Sequence, residues 1–469
     1  MLTPELILAT FASLVILVDL FLSPAAKRVN LYLAMVGIAA SAAAAVSLIG
    51  RNTTSFSGLL VVDDFAIFFQ LAFLLAAALV ALSAVAFLER YPGAEGEFYG
   101  LMLFSTTGMM LMAGTRELVS IYLALELTSI SLYLLAGLAK RDRKSSEAAL
   151  KYLLLGALSS AILLYGMALL YGLSGTTDLA GIAKAVGQGS SPVLLLAMAL
   201  VASGFGFKIA AVPFQMWAPD VYEGAPTPVT AFLSVASKAA GFSVVIRVFT
   251  VAMGGIQADW VTLFAVLSAL TMTLGNVVAL TQQNIKRMLA YSSIGHAGYL
   301  LLGVAAATVS GVSSVMFYLL AYTVTNVAAF TVVILASTAI PDDRIEGYSG
   351  LHRRAPLLAF AMAVSLLSLA GLPPMAGFFA KFYLFAAAYQ AGLVWLVVLG
   401  LINSAISLFY YVWVIRQMYL VAPSDEEPVR FPATAFASLV VAVVAVFALG
   451  IFSDPFVSFA RLAAAGLVH

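Results

Sequence analysis

The chain is built from one apolar run after another, each about 20 residues long and followed by a short polar connection. A helix of about 20 residues is long enough to cross the roughly 30 Å of hydrocarbon in a membrane. Only 10% of the residues are charged, whereas soluble domains carry about 25%. The runs therefore predict an all-α polytopic membrane protein and exclude a soluble globule.

Turn residues and charges divide the chain into fourteen predicted transmembrane helices. The predicted spans are 5–24, 29–50, 65–88, 97–114, 117–138, 146–172, 192–218, 227–251, 259–281, 288–309, 312–339, 356–390, 392–420 and 433–464. No Lys or Arg precedes the first run, so we expect a retained span and not a cleaved signal peptide. Fourteen basic residues lie in or next to the connections after odd-numbered spans, and four lie in or next to the others, including the C-terminus. This asymmetry predicts that the odd connections face the cytoplasm and that both termini face outward.

The composition leaves few kinds of chemistry open. With no cysteine and three histidines, the chain lacks the ligands of a thiolate zinc site or an iron–sulfur cluster. The formal charge of +1 gives no support for nucleic-acid binding, which needs a basic patch. The short connections leave no room for a nucleotide-binding domain. We therefore expect no cofactor in this chain, and the energy for any transport has to come from a partner protein or an ion gradient.

Ionisable residues inside the predicted spans are the strongest functional signal, because each costs at least about 2.5 kcal/mol at the middle of a bilayer. The residues that we predict to form a proton relay are Glu126, Lys151, Lys208, Lys238, His296 and Lys381. For Lys151, an extended side chain that reaches the cytoplasmic interface is an equally good interpretation. For His296, ordinary packing and proton transfer both stay open. We expect Arg247, near the end of its span, to reach the outer interface.

Prolines interrupt two of the predicted spans, and each interruption lies near a lysine. Pro213 follows Lys208 in the seventh span, and a GLPP segment at 371–374 precedes Lys381 in the twelfth. Proline frees a backbone carbonyl, which a membrane tolerates only where the carbonyl lines protein or a water-filled cavity. Breaks five spans apart predict two inverted five-helix repeats, helices 4–8 and 9–13, with discontinuous helices 7 and 12. The predicted domains are 1–96, 97–253, 254–422 and 423–469.

These residues together predict proton translocation. Burial in hydrocarbon disfavours the charged form of both lysine and glutamate, so such groups exchange protons near neutral pH. A row of them at one depth can pass a proton sideways, and a Glu–Lys pair can act as a switch. The residues leave open whether a redox partner or an ion gradient drives the movement. An inert scaffold would explain the helices but not the deep charges.

Three segments carry a family pattern: FGFKIAAVPFQMWAPDVYEGAPTPVTAFLSVASKAAGF, NIKRMLAYSSIGHAGYLL and SLAGLPPMAGFFAKFYLF. With them, the chain resembles the antiporter-like membrane subunits of respiratory complex I over essentially its whole length. Among these subunits it looks most like the N type of bacterial NADH:quinone oxidoreductase, because the M type carries a glutamate where Lys381 stands. Relatives in sodium–proton antiporter complexes share the same core.

The resemblance implies a role for each candidate. Glu126 matches a fifth-helix glutamate that pairs with a lysine, and Lys151, Lys208 and Lys238 match the lysines of the sixth, seventh and eighth helices. His296 matches a tenth-helix histidine, and Lys381 matches the twelfth-helix lysine that faces an outer half-channel. The resemblance also implies that other subunits bind NADH, FMN, iron–sulfur clusters and quinone. The expected partners are K-type and M-type neighbours, a peripheral redox arm and the lipid of a bacterial plasma membrane. The alternative is a subunit of a secondary cation/proton antiporter.

Overall fold

The protein is described by a computed structural model that covers residues 2–187, 189–337, 339–340, 342–423, 427–429 and 431–467. The first ten helices are α1 (Thr3–Asp19), α2 (Val29–Val46), α3 (Asp64–Leu88), α4 (Glu95–Ala113), α5 (Leu118–Ala136), α6 (Arg143–Ser174), α7 (Leu179–Val186), α8 (Pro192–Ile209), α9 (Trp217–Gly224) and α10 (Thr227–Phe232). The others are α11 (Lys238–Arg247), α12 (Gln257–Ala279), α13 (Ile285–Ala305), α14 (Val309–Ala336), α15 (Leu351–Arg354), α16 (Pro356–Ala370), α17 (Ala376–Gln390), α18 (Val394–Leu420), α19 (Ala433–Ile451) and α20 (Asp454–Ala465).

A small antiparallel hairpin, which the sequence did not predict, precedes α3. Its strands are β1 (Thr53–Ser55) and β2 (Leu60–Val62), with Thr53 paired to Val62. Another local departure from regular helix is a π-helical turn, Leu233–Ser237, between α10 and α11. Such turns are frequent at functional sites, and this one ends directly before Lys238.

Eleven helices of the described chain are long and apolar enough to cross a membrane, counting Thr227–Ala252 as one. The fold is therefore that of an all-α multi-pass membrane protein, as predicted. The three remaining predicted spans also coincide with helices. They correspond to α1, which has 17 residues, to α4, and to the pair α16 and α17.

The chain leaves the helical path at both proline-marked positions. Helix α8 ends at Ile209 and α9 begins at Trp217, while α16 ends at Ala370 and α17 begins at Ala376. The prediction of one final helix over 433–464 is wrong, because α19 ends at Ile451 and α20 starts afresh at Asp454. The early stop agrees with the proline at the start of α20, since proline cannot continue a helix but suits its first turn.

Side chains at the helix starts satisfy backbone groups that the helices themselves leave unpaired. The Glu117 carboxylate, directly before α5, accepts hydrogen bonds from the amides of Val119 and Ser120. Burial raises the pKa of this carboxyl, but hydrogen bonds from Thr177, Val119 and Ser120 outweigh burial and hold the pKa below its usual range. Glu117 therefore stays ionised and fixes where α5 begins.

The centre of the bundle is formed by the stretch Thr227–Ala252 and by α13 and α14. The Thr227–Ala252 stretch is completely buried within the chain, and α13 and α14 are almost completely buried. By contrast, α6 and α18 lie at the periphery, because only 33% of the most apolar part of each is buried within the chain. The central helices carry Lys238 and His296, so these side chains lie where only other helices can supply their partners.

Candidate functional site

Lys208 lies in the last turn of α8, at the first break. The chain leaves α8 through Ala210 in a left-handed conformation with φ of 57°. The Lys208 Nζ donates a hydrogen bond to Ser129 Oγ on α5 at 2.9 Å. The Trp217 indole N–H donates to the carbonyl of Phe207 at 2.9 Å. The break therefore keeps its backbone satisfied and holds a buried amine beside it.

Glu126 lies one turn before Ser129 on α5 and is half-buried. It is near enough to interact electrostatically with Lys208, yet among the described residues no ion pair joins the two, and one carboxylate oxygen is buried without a hydrogen-bond partner. The direct Glu–Lys pair that we expected is therefore not formed in this structure. The physical reason is that Ser129, on the same helix, accepts the hydrogen bond of the Lys208 amine instead.

A small cavity borders the Lys208 amine. Its volume is about 10 Å³, and its polar lining comes from Ser129, Tyr133, Ser159 and Ser160. A polar cavity of about 10–15 Å³ has room for one water molecule. The hydroxyls around Lys208 can therefore be bridged by a single water.

Lys238 begins α11, directly after the π-helical turn. Its Nζ donates to the carbonyl oxygen of Ser293 on α13 at 2.6 Å and also contacts the hydroxyl of Ser293. One turn further along α11, Gly241 packs on Lys208, and a Cβ placed there would lie 3.3 Å from Lys208 Cγ. Helix α11 thus connects the first break to the histidine-bearing helix α13.

His296 follows Ser293 by one turn on α13. Its Nδ1 lies 2.6 Å from the hydroxyl of Tyr318 on α14, and its Nε2 lies 3.2 Å from the hydroxyl of Tyr411 on α18. A tyrosine hydroxyl can donate or accept, so both tautomers of the imidazole have partners. The hydroxyl of Tyr411 also contacts Ser292. These bonds satisfy both nitrogens of the buried imidazole, as either packing or a proton relay requires.

Lys381 lies on α17, just beyond the second break. Its Nζ donates to the carbonyl of Ala370 at 2.9 Å and to Ser404 Oγ on α18 at 2.8 Å. Ala370 is the last residue of α16, so this carbonyl is one of those that the helix end leaves unpaired. The same amine lies 5.0 Å from the ring centre of Tyr299. The second break thus also holds a buried amine, here bonded to the freed carbonyl itself.

Beside His296, further hydrogen bonds connect α18 to α13 through Asn276 on α12. The hydroxyl of Tyr410 donates to Asn276 Oδ1 at 2.9 Å, and Asn276 Nδ2 donates to the hydroxyl of Tyr299 at 3.1 Å. Sequence reasoning missed these side chains and the tyrosines around His296. The available signal was weak, because a tyrosine or asparagine in an apolar helix is compatible with ordinary packing.

Lys151 does not lie with the buried row. It is half-exposed on α6 and forms ion pairs of 2.8 Å with both Glu147 and Asp220, and Asp220 also pairs with Arg287 at 2.8 Å. Glu223 completes this cluster by pairing with Arg287 at 3.3 Å. The position agrees with the interfacial interpretation of Lys151. In the sequence, the acidic residues Asp220 and Glu223 of the PDVYEG segment, just after a helix break, indicate such a cluster.

The expectation for Arg247 is wrong. Its side chain is buried, and its guanidinium forms two hydrogen bonds of 2.9 Å to the carboxylate of Asp63. The guanidinium also lies 4.9 Å from the ring centre of Phe65. The Asp63 carboxylate, which is 20% exposed, supplies the counter-charge that a buried guanidinium needs.

Within the described ranges, no group of three or more His, Asp or Glu side chains is arranged to hold a metal ion. The buried row instead consists of three amines and an imidazole, with the Glu126 carboxylate beside the first amine. Lys208 is only 4% exposed, Lys238 2% and Lys381 5%. All of these groups can bind and release protons.

Known proteins resemble this chain over nearly its whole length. Residues 115–407 match the family model described as NADH:quinone oxidoreductase/Mrp antiporter, TM. The NADH-quinone oxidoreductase subunit N of Trichlorobacter lovleyi is 49% identical over 466 residues, which is 98% of this chain and 96% of that protein. A chain of respiratory complex I from Thermus thermophilus with bound aureothin is 36% identical, with a TM-score of 0.83 and coverage of 98% and 99%. A chain of the Mrp complex from a Dietzia species, 24% identical, shares the fold with a TM-score of 0.88, over 99% of this chain and 97% of that one.

The helical membrane fold and the match to that family model place the chain in the class of antiporter-like membrane proteins. Within this class, the chain belongs to the subunit N family of NADH-quinone oxidoreductases. The family membership confirms the resemblance that the sequence segments suggested.

Proposed function

We propose that the chain is a proton-translocating membrane subunit of a redox-driven NADH:quinone oxidoreductase and has no redox centre of its own. The observation that carries the proposal is the kind of partner that each buried lysine has. Lys208, Lys238 and Lys381 are bonded to serine hydroxyls and backbone carbonyls, and among the described residues none of them forms an ion pair. An amine without a contacting counter-charge in a buried site gains and loses a proton more readily than one held by a carboxylate.

The order of the groups in space supports a lateral path. A proton taken up near the first break is held by Lys208, with the Glu126 carboxylate close by to stabilise the charge. It passes along α11 to Lys238 and through Ser293 to His296. The tyrosines around His296 lead on to Lys381 at the second break. Charge on one amine disfavours charge on the next, so the groups titrate as a coupled set and the proton moves stepwise.

Lys151 belongs to this proposal in a different way. One of its ion pairs is with Glu147 on α6 and the other with Asp220 on α9, beyond the first break, and both stabilise the charged amine. We propose that Lys151 supplies positive charge at the entrance to the row, whereas the other five residues carry the proton.

We also propose fourteen membrane crossings, with both termini facing outward and inverted repeats formed by the fourth to eighth and ninth to thirteenth crossings. The charges support this topology. Lys144 lies at the start of α6 and, with Arg90 and Lys286, lines a cavity of about 550 Å³. Arg116 precedes α5 and Lys184 follows α6, so these basic residues lie at the opposite ends of the same helices. The basic-rich end would then face the cytoplasm.

The remaining parts of the machine are expected in partner chains of a bacterial plasma membrane. We propose K-type and M-type neighbours and a peripheral arm whose subunits bind NADH, FMN, iron–sulfur clusters and quinone. The full-length similarity to the Trichlorobacter subunit and to a chain of the Thermus complex supports this assignment. The proposed domains, 1–96, 97–253, 254–422 and 423–469, then describe one subunit of that assembly.

Purification of the native complex through a tag on this chain tests the proposal. The expected preparation shows flavin and iron–sulfur absorbance, reduces quinone with NADH, and takes up protons when it is reconstituted in vesicles. A preparation that lacks flavin and iron–sulfur protein but exchanges cations for protons would favour the alternative, a subunit of a secondary cation/proton antiporter. The alternative is kept because the matching family model also covers Mrp antiporters.

A further inference from the structure

A cavity of about 950 Å³ lies at the end of the molecule where α5 begins and α6 ends. It is separate from the buried row and takes no part in the proposed proton path. Its charged lining residues are Arg51, Asp63, Asp64, Arg116, Lys184 and Arg247. Four of these side chains are cationic and two are carboxylates.

The carboxylates of the cavity already have partners. Asp63 binds Arg247 through both oxygens, and Asp64 accepts a hydrogen bond from the amide of Gly50 at 2.8 Å. Arg51, Arg116 and Lys184 form no ion pair within the described part of the chain. The Nε of Arg247 is also buried without a hydrogen-bond partner. The hydrogen bond from a neutral amide does not cancel the charge of Asp64, so four cations against two carboxylates leave the cavity with two positive charges in excess.

A cavity of similar size at the other end of the molecule shows that this excess is not general. That cavity, about 920 Å³, is lined by Lys27 and Arg28 among others. Lys27 pairs with Asp19 at 2.7 Å, and Arg28 pairs with Glu89 at 3.1 Å. Its third basic residue, Arg90, donates to Ser337 instead. Two of its three basic residues thus have carboxylate partners among the described residues, whereas only Arg247 of the four in the first cavity has one.

Apolar side chains also line the cationic cavity. Val251 and Trp260 form one part of its wall, and Leu462 and Leu467, in and just after α20, form another. Leu462 is 70% exposed, as expected for an amphipathic helix that lies in the membrane interface. A site with cations on one side and leucines on the other matches a molecule with an anionic head and a hydrocarbon tail. Clustered basic side chains at a membrane surface attract anionic headgroups electrostatically.

We propose that this cavity binds the phosphate headgroup of an anionic phospholipid. Arg51, Arg116 and Lys184 contact the phosphate, and Leu462 and Leu467 contact the upper part of an acyl chain. The proposal does not depend on proton transfer, so the two can fail separately.

The test uses the assembled complex in nanodiscs that contain a photoactivatable lipid. Phosphatidylglycerol that carries the photoactivatable group near its head is compared with phosphatidylcholine that carries the same group, and the labelled peptides are identified by mass spectrometry. We expect phosphatidylglycerol to label the peptide of α20 at least several-fold more than phosphatidylcholine does. Substitution of Arg51, Arg116 and Lys184 by Gln should remove this difference. The matched control replaces Lys140, Arg141 and Arg143 by Gln, which removes equal charge outside the cavity and should leave the labelling unchanged.

Single substitutions at the exposed Lys184 keep the test valid if the triple variant fails to assemble. Lys184→Glu should weaken the labelling, and Lys184→Arg should retain it. Equal labelling by both lipids, or full labelling of Lys184→Glu and of the triple variant, would overturn the proposal. Loss of labelling when inorganic phosphate is added would assign the site to free phosphate and overturn the lipid. Cross-links from α20 to a neighbouring subunit, without any lipid labelling, would assign the cavity to a protein contact and also overturn it.

Discussion

Replacement of Lys208 by Met isolates the charge at the first break. Methionine keeps the Cβ and Cγ atoms that pack against Gly241 and removes the amine. The lost hydrogen bond to Ser129 is worth about 0.5–1.5 kcal/mol net, and removal of a buried charge offsets part of this loss. We therefore expect the stability of the assembled complex to change by about 1 kcal/mol or less.

The effect on turnover should be much larger. A positioned proton-transfer group contributes roughly 100-fold to 10,000-fold to a rate, and water beside the break replaces part of that contribution. We expect NADH-driven quinone reduction and proton uptake to fall together by about tenfold or more, because blocked proton transfer stalls a tightly coupled cycle. Lys208→Arg should not restore activity fully, since guanidinium stays protonated at physiological pH.

The assay measures quinone reduction and proton uptake in vesicles that contain the fully assembled variant complex. Lys140→Met is the matched control, because Lys140 is exposed and pairs only with Glu97 among the described residues. The control should retain both activities, since exposed ion pairs contribute about 1 kcal/mol or less. Normal reduction and normal uptake in Lys208→Met would remove this lysine from the pathway. Normal reduction with lost uptake would show that the two processes are only loosely coupled.

Four further substitutions test other parts of the structure. Glu126→Ala should lower proton uptake several-fold without loss of assembly, because it removes the nearby negative charge that favours a protonated Lys208; uptake at the wild-type rate would make Glu126 a packing residue. Gly241→Val should displace Lys208 and cost about 1–3 kcal/mol through overpacking, as thermal unfolding and quinone reduction would show, and unchanged values would contradict the close approach. A cysteine at position 142, the only one in the chain, should react with a membrane-impermeant reagent from the cytoplasmic side, and labelling only from outside would reverse the topology. The capping by Glu117 stabilises α5 above about pH 4, and this stabilisation is lost as the pH falls through the lowered pKa of Glu117. Glu117→Gln should therefore weaken that helix end by about 1 kcal/mol at neutral pH. In amide hydrogen exchange, the variant's helix end should no longer depend on acid pH.

Much of the fold could be predicted from the sequence because its determinants are local. The length of each apolar run decides whether a helix crosses the membrane, and a proline removes a hydrogen bond wherever it falls. Both breaks and the helices of the first thirteen predicted spans followed from these two rules. The last span was misjudged because its apolar character continues through a helix end, near Ile451, that hydropathy alone does not mark.

The burial of three lysines could be predicted from the sequence, but their contacts could not. The cost of an ionisable group in hydrocarbon marked Lys208, Lys238 and Lys381 without knowledge of their neighbours. Which group each lysine bonds depends on how the helices are rotated and packed against one another. Sequence spacing carries no information about that rotation for helices far apart in the chain.

Tertiary structure therefore decided what each charge does. It gave Lys208 a serine partner where a glutamate was expected, and it moved Lys151 from the buried row into an ion-pair cluster. It also buried Arg247 against Asp63, which lies 184 positions earlier in the sequence. A buried charge needs a partner, and only the packed bundle determines which side chain, near or distant in sequence, comes close enough to be that partner.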